Sequence, residues 1–288
     1  MVVQEFFDKR TFTLTYVVYD RETRDAVIID PVLDYNPNSS EYFFESQEQL
    51  LSFVKEKELR IHFILETHAH ADHLSSSFFL KEKFENAKVA IGENITKVQS
   101  TFKTLMNLDD VTTEGEEFDL LLKDGESYST GSLSFKVLST PGHTPACCSY
   151  LFNEEALFVG DVLFMPDSGC GRCDFPMGSA ADLYNSVTKK IYTLNEDVKI
   201  YVGHDYQPNG RELKFCSTVG EQQNLNNKIS KDISFNDFVK FREERDKQLD
   251  APRLLLPSIQ VNIRAGRFSA PENNGTSYIK IPLIKRPL

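Results

Sequence analysis

Apolar positions along the chain follow two periods, and the switch between them outlines the elements. TFTLTYVVYD (residues 11–20) and AVIID (26–30) are β-branched runs joined by the polar turn RETR, and they predict two strands. NPNSSE (36–41) is a loop rich in turn formers. In QEQLLSFVKEKEL (47–59) the apolar residues Leu50, Leu51, Phe53, Val54 and Leu59 fall at helical spacing. A strand, RIHFILE (60–66), then leads into a histidine-rich turn and a helix running through LSSSFFLKEKF (74–84). KVAIG (88–92) is a short strand and ENITKVQSTFKTLM (93–106) another helix.

The second half repeats this alternation. FDLLLK, LSFKVLST, CCSYLF and ALFVGDVLF predict strands between residues 118 and 164. SAADLYNSVTKKIYTL (179–194) is helical with Ser179 as N-cap, and VKIYVG (198–203) is a strand. After residue 220 the chain is helical through FNDFVKFREERDKQL, and APRLLLPSIQVNIRAG (251–266) packs back on the domain. Mixed α and β with hairpins and crossovers predicts a layered sheet core with helices outside. We expect a catalytic domain over residues 1–220 and a helical and extended C-terminal segment, 221–288, packed on it.

Composition narrows the partners. With 43 acidic against 32 basic residues the formal charge is −11, which disfavours a nucleic-acid ligand. No window approaches 18 consecutive apolar residues, and the N-terminal stretch carries Glu5 and no signal-like apolar core, so a cytoplasmic protein without membrane attachment is expected. Five cysteines, Cys147, Cys148, Cys170, Cys173 and Cys216, do not form a disulfide pattern. Cys147 and Cys148 read as core residues, and Cys173 in CGRC as incidental.

The histidines carry the chemistry. Of six, His62 lies inside a strand with no partner motif and is read as structural. The other five follow strand ends: His68, His70 and His73 after HFILE, His143 after FKVLSTPG, His204 after VKIYVG. Asp161 follows ALFVG in the same way. Side chains delivered past the carboxyl ends of several strands converge in one crevice. Imidazole and carboxylate together suit zinc, iron or manganese. Gly142 and Gly203, each just before a histidine, let the backbone bend beneath the site.

THAHADH, PGHTPACCSYLF, FVGDVLF and YVGHDY resemble, in order, the metal motifs of the metallo-β-lactamase superfamily across about residues 10 to 210. The resemblance implies an α+β, four-layer αββα sandwich with the metal site at one edge of the two sheets. Most members are dinuclear zinc hydrolases. On that template His68, His70 and His143 bind one zinc, Asp72, His73 and His204 a second, and Asp161 bridges them; the glyoxalase II (hydroxyacylglutathione hydrolase) type is the version expected.

A further segment, SGCGRCDFPMGSAADLYNSVTKKIYTL (168–194), resembles the glycine–cysteine–glycine–arginine stretch of the persulfide dioxygenases. HDY (204–206), LPSIQVNIRAG (256–266) and AVIIDPVLDYNP (26–37) are similar to that family too, the last to its bacterial β-lactamase-like branch. This resemblance implies one Fe(II) per chain on His68, His143 and Asp161, oxidising glutathione persulfide or a similar small persulfide with O2 to sulfite and thiol. His70, Asp72, His73 and His204 then order ligands and water from outside, with Asp72, His204 and Tyr206 as catalytic candidates. Arg172 is expected to meet a glutathione carboxylate, Tyr206 to donate to substrate or oxygen, and Asn262 and Arg264 to line the site. The family implies a homodimer. Without a rhodanese-like extension, a sulfurtransferase or sulfide quinone oxidoreductase in the pathway is a separate protein. Cys170 matches the family's cysteine, Cys173 stands where threonine is frequent, and MPDS (165–168) is an insertion that reshapes the entrance.

Overall fold

In the computed structural model, which describes residues 1–283, the chain builds its first sheet by hairpins and then by crossovers. Strands β1 (Val2–Asp8), β2 (Thr13–Tyr19) and β3 (Asp25–Ile29) pair antiparallel. The chain then leaves through β4 (Val32–Asn36) and β5 (Glu41–Phe43), an antiparallel ribbon, and helix α1 (Glu45–Glu56). It returns as β6 (Arg60–Leu65), parallel to β3. After β7 (Leu74–Ser75), which joins β4, and α2 (Ser77–Lys83) comes β8 (Lys88–Gly92). Helix α3 (Ile95–Met106) leads to β9 (Leu120–Leu122), completing the order β1-β2-β3-β6-β8-β9.

The second sheet holds β10 (Ser127–Thr130), β11 (Leu133–Ser139), β12 (Cys148–Phe152) and β13 (Ala156–Phe158) as antiparallel neighbours. Helix α4 (Ala180–Lys189) crosses over to β14 (Lys199–Tyr201), parallel to β13, and β15 (Cys216–Thr218) forms the far edge. Helices α5 (Val219–Leu225), α6 (Phe235–Asp246) and α7 (Leu255–Asn262) follow. Residues 284–288 of the expected C-terminal segment lie outside the described residues.

Period-two alternation sorts each strand into two layers. Leu14, Tyr16, Val18, Val27, Ile29, Phe63 and Leu65 face the second sheet, where Phe63 meets Phe135 edge-on at 5.4 Å and Tyr16 meets Phe158 at 5.1 Å. Val17, Ala26, Ile28 and Ile64 face the other way, onto Leu50 and Val54 of α1, Leu80 of α2, Val98 and Phe102 of α3 and Ile259 of α7. Leu183 and Val187 of α4 cover the outer face of the second sheet, and α6 packs on α4 through Phe238 and Tyr184. The αββα sandwich is therefore present. The centre of the first sheet is covered on both faces, which is why β2 and β3 are buried at every position, whereas β11 alternates with Ser134 and Lys136 exposed.

Three local expectations need correction. The helix expected from residue 74 begins only at Ser77, because Leu74 and Ser75 are recruited as a strand beside β4. The strand expected over 156–164 stops at Phe158, where the chain turns to present Asp161. The helical region after 220 is broken between α5 and α6, where buried Asn226 turns the chain by accepting from the Lys228 and Ile229 amides. Ser179 caps α4, its hydroxyl accepting from the Asp182 amide at 3.1 Å.

Candidate metal centre

Four strand ends meet at one edge of the sandwich. β6 delivers residues 66–73, β11 leads to His143, β13 to Asp161 and β14 to His204. At Gly142 the turn into His143 runs against α4: a Cβ there would sit 2.4 Å from the Leu183 backbone, at a φ of +145°. Only glycine fits both constraints.

His68, His143 and Asp161 each offer one ligand atom within 4.8 Å of the others, and all three are buried. His143 Nε2 stands 3.6 Å from Asp161 Oδ2. The second ring nitrogens are committed elsewhere. His143 Nδ1 donates to the Arg172 carbonyl at 2.6 Å, and His68 Nδ1 to Thr67 Oγ1 at 3.0 Å, whose own hydroxyl donates to Asp30. His68 Nε2 and Asp161 Oδ1 are left buried with no hydrogen-bond partner. Buried polar atoms are almost always satisfied, so orphaned atoms converging on one point mark a cation position. Burial, with His70 and His143 adding to it, holds the His68 pKa well below its usual value, so its imidazole is neutral and ready to ligate.

A second group, His70, Asp72 and His73, lies within 4.8 Å of itself. His204 joins it, Nε2 lying 3.0 Å from Asp72 Oδ2 and 3.4 Å from Asp161 Oδ1. His70 Nδ1, His73 Nε2, Asp72 Oδ2 and His204 Nε2 again lack hydrogen-bond partners. Their protonation differs from that of His68. Burial works against a charge on His70, but Asp30 and Glu66 outweigh it and raise its pKa well above 6.5. At His204 burial is likewise outweighed, by Asp161 and Asp72, and the pKa rises to about 9. His73 is lowered, by burial and by His70.

A cavity of about 830 Å³ opens onto this edge, with Asp72, His143 and Asp161 on its floor and Phe12, Phe164 and Tyr206 on its wall. Tyr206 stacks on His204 at 5.5 Å between centroids. The loop Gly169–Arg172 closes the floor from below. A Cβ on Gly171 would stand 2.2 Å from the Asp161 carbonyl oxygen and 3.2 Å from His143 Nδ1, so this loop is pressed onto two of the three triad residues.

Of the three expected substrate contacts Arg172, Asn262 and Arg264, the last two are corrected, because neither lines the cavity. Arg172 is on the cavity wall, but its fork is occupied: Nε and Nη2 both meet the Asp174 carboxylate at 2.5 Å, and Nη1 donates to the Asp250 carbonyl. Asn262 is off the wall; its amide donates to the His70 and His73 carbonyls at 2.9 and 2.8 Å and accepts from the Ser75 amide, clamping the histidine turn from behind. Arg264 points away onto Asp110 at 2.7 Å. Cys170 lines the cavity with its thiol pushed up to about 11 by burial, and Cys173, also buried, is pushed up further. His62 pairs with Asp25 at 2.7 Å, outside the site.

Sequence reading missed Asp30 and Glu66, which grip His70 Nε2 at 3.0 and 3.3 Å. Both follow strand ends, so the rule that found Asp161 applied to them as well. Thr13, 3.4 Å from the Nδ1 atoms of both His73 and His204, had no such signal.

Set beside known proteins, residues 8–204 match the family described as Metallo-beta-lactamase superfamily. Glyoxylase B2 of Dictyostelium discoideum is 48% identical over 98% of this chain and 96% of its own length. Persulfide dioxygenase ETHE1, mitochondrial, of Homo sapiens is 32% identical over 92% of this chain and 89% of its own. The crystal structure of ETHE1 from Myxococcus xanthus superposes with a TM-score of 0.74 at 29% identity, over 93% of this chain and 100% of that one. Among the described residues, no helix is long and apolar enough to cross a membrane.

Proposed function

The chain belongs to the metallo-β-lactamase superfamily of enzymes, and from that premise we propose that it is an Fe(II)-dependent persulfide dioxygenase. The reaction is RSSH + O2 + H2O → RSH + H2SO3, the terminal sulfur being oxidised and O2 reduced. The observation that carries this reading is the seating of the glycine–cysteine–glycine–arginine loop: Gly171 has no room for a side chain against Asp161 and His143, and the Arg172 carbonyl fixes the His143 tautomer. The segment that resembles the dioxygenases is thus part of the wall of the triad itself. Similarity to the human and Myxococcus xanthus proteins supports the same reading.

Two imidazoles and one carboxylate are the protein ligands of non-haem iron oxygenases. A ferrous ion on His68, His143 and Asp161 would supply open positions for sulfur and O2 together, and the electrons that zinc lacks. The chain's own residues do the rest. Thr67 and the Arg172 carbonyl hold the two imidazoles with Nε2 forward. Phe12, Phe164 and Tyr206 form an aromatic wall above the floor. His204 Nε2, 3.0 Å from Asp72 Oδ2 and 3.4 Å from Asp161 Oδ1, stands beside the triad and orders the Asp72 carboxylate there.

The test is an oxygen-electrode trace with anaerobically purified protein carrying one equivalent of Fe(II). Addition of glutathione persulfide gives O2 uptake and sulfite in equal amounts; no uptake ends the proposal. A dinuclear zinc hydrolase of the glyoxalase II type is the second reading, favoured by the four unpartnered ligand atoms of His70, Asp72, His73 and His204 and by the name of the Dictyostelium discoideum relative. Two equivalents of zinc with rapid thioester cleavage would establish it instead.

A further inference from the structure

Two loops supply aromatic rings to the cavity wall, and one arginine behind the wall binds both loops. Phe164 leads into the turn 165–168, the stretch expected to reshape the entrance, and Tyr206 follows Asp205 in the bend after β14. Their rings meet edge-on at 5.6 Å and lie 6.1 and 5.5 Å from the ring of His204, which borders the triad. A carbon that carries sulfur to the metal must pass these rings. Arg211 itself is not on the cavity wall. Its Nη1 and Nη2 donate to Asp205 at 2.7 and 2.8 Å, and its Nε and Nη2 to Asp167 at 2.6 and 2.9 Å. One guanidinium thus holds two carboxylates in forked pairs, the arrangement in which arginine fixes geometry best.

The two pairs differ in what they contribute. Asp205 is fully buried and also accepts from the Lys214 amide at 2.7 Å, so this half anchors the arginine. The Asp167 side chain is 45% exposed, and exposed pairs contribute little to stability. The backbone of its turn is held separately by Asn227, whose main-chain amide donates to the Pro166 carbonyl at 2.9 Å and whose side chain donates to the Asp167 carbonyl at 2.5 Å. What the Asp167 pair adds is a fixed distance between the two loops. We propose that Arg211 is a specificity-determining positioning residue: by holding the Phe164 and Tyr206 rings at one spacing, it restricts the cavity to sulfur carried on an unbranched carbon, a primary thiol or its persulfide, and rejects sulfur on a branched one. This rests on the proposed function only in placing the sulfur over the floor, and it holds whichever metal is bound there.

The test compares two thiols of equal charge, N-acetylcysteine and N-acetylpenicillamine, which differ by two methyl groups on the carbon bearing sulfur. Each is titrated anaerobically into cobalt(II)-loaded protein, where the thiolate charge-transfer band reads sulfur on the metal. The unaltered protein is expected to favour N-acetylcysteine by at least about tenfold, as extra carbon in a close-fitting pocket implies. Asp167→Asn and Arg211→Lys should each cut that preference by about threefold to tenfold, and Asp167→Glu should keep most of it. The melting temperature of Asp167→Asn should stay within about 2 °C of the unaltered protein's. No band with either thiol, no preference in the unaltered protein, or a preference unchanged in both Asp167→Asn and Arg211→Lys overturns the assignment. So does an equal weakening of both thiols, which is what a merely structural pair would give. Loss of O2 uptake with this preference intact would count against the dioxygenase reading alone.

Discussion

Arg172 holds His143 through its backbone: the Arg172 carbonyl accepts from His143 Nδ1 at 2.6 Å, while the guanidinium is turned onto Asp174. The residue expected to serve the site by its side chain serves the metal ligand by its main chain.

Substitution of Arg172 should therefore spare the metal. In Arg172→Ala the carbonyl remains, and elemental analysis is expected to find close to the usual iron content. Gly171→Ala is the opposite case. Its new methyl would stand 2.2 Å from the Asp161 carbonyl and disturb two ligands at once. Metal affinity should fall by about 10–100-fold, the usual cost of disrupting an outer partner. Full iron occupancy in Gly171→Ala would show that the loop does not support the triad.

Asp72 and His143 separate the one-metal and two-metal readings. Both are on the cavity floor, but only His143 belongs to the triad with His68 and Asp161. His143→Ala should strip the metal entirely. Asp72→Ala should keep one iron and lose part of the oxygenase rate, since it removes the carboxylate that lies 3.0 Å from His204 Nε2 beside the triad. A variant of Asp72 that holds no metal at all would contradict the assignment of iron to the triad.

The strands were readable because their burial is uniform: AVIID and HFILE are apolar on both faces, and both faces are covered. The five site histidines were readable because each follows a strand, His68, His70 and His73 after β6, His143 after the alternating β11 and His204 after β14. The opening strand, Val2–Asp8, was overlooked because it lies at a sheet edge with an intermediate burial pattern and mixed polarity. What Asn262 and Arg264 do was illegible for a different reason. Sequence places LPSIQVNIRAG near the site but says nothing of which side of the histidine turn it reaches, and α7 arrives from behind.

Asn262 offers a stability measurement. Its amide satisfies the buried carbonyls of His70 and His73 and the Ser75 amide. Asn262→Ala leaves all three groups without partners, at roughly 1–3 kcal/mol each where no water replaces the amide. A melting temperature lowered by about 5 °C or more is expected, given roughly 2–4 °C per kcal/mol for a chain of this size. Asn262→Asp should do worse, because it loses two donors and buries a charge beside carbonyl oxygens. An unshifted melting temperature in Asn262→Ala would show that the clamp contributes nothing.

The pH dependence of metal uptake distinguishes the two positions. His204, raised to about 9 because Asp161 and Asp72 outweigh its burial, carries a proton at pH 7 and must lose it to ligate. A second equivalent of zinc should therefore bind at least about tenfold tighter per pH unit as pH rises from 7, and more steeply if His70 of the same group gives up its proton too. The triad differs, since burial keeps His68 neutral throughout that range and it releases no proton. The first equivalent should show little slope between pH 7 and 9. His70, raised well above its usual value by Asp30 and Glu66 in spite of its burial, releases its proton to whichever metal it joins: with the second group it steepens the second equivalent, and a steep first equivalent would mean that it has joined the first metal. The same shift bears on stability in metal-free protein. The His204 contribution is fully present below the unfolded value of about 6.5 and is lost as pH rises through about 9. Competition titrations against a chromophoric chelator at several pH values read both slopes, and a second equivalent whose affinity ignores pH would refute the protonated His204 on which this distinction depends.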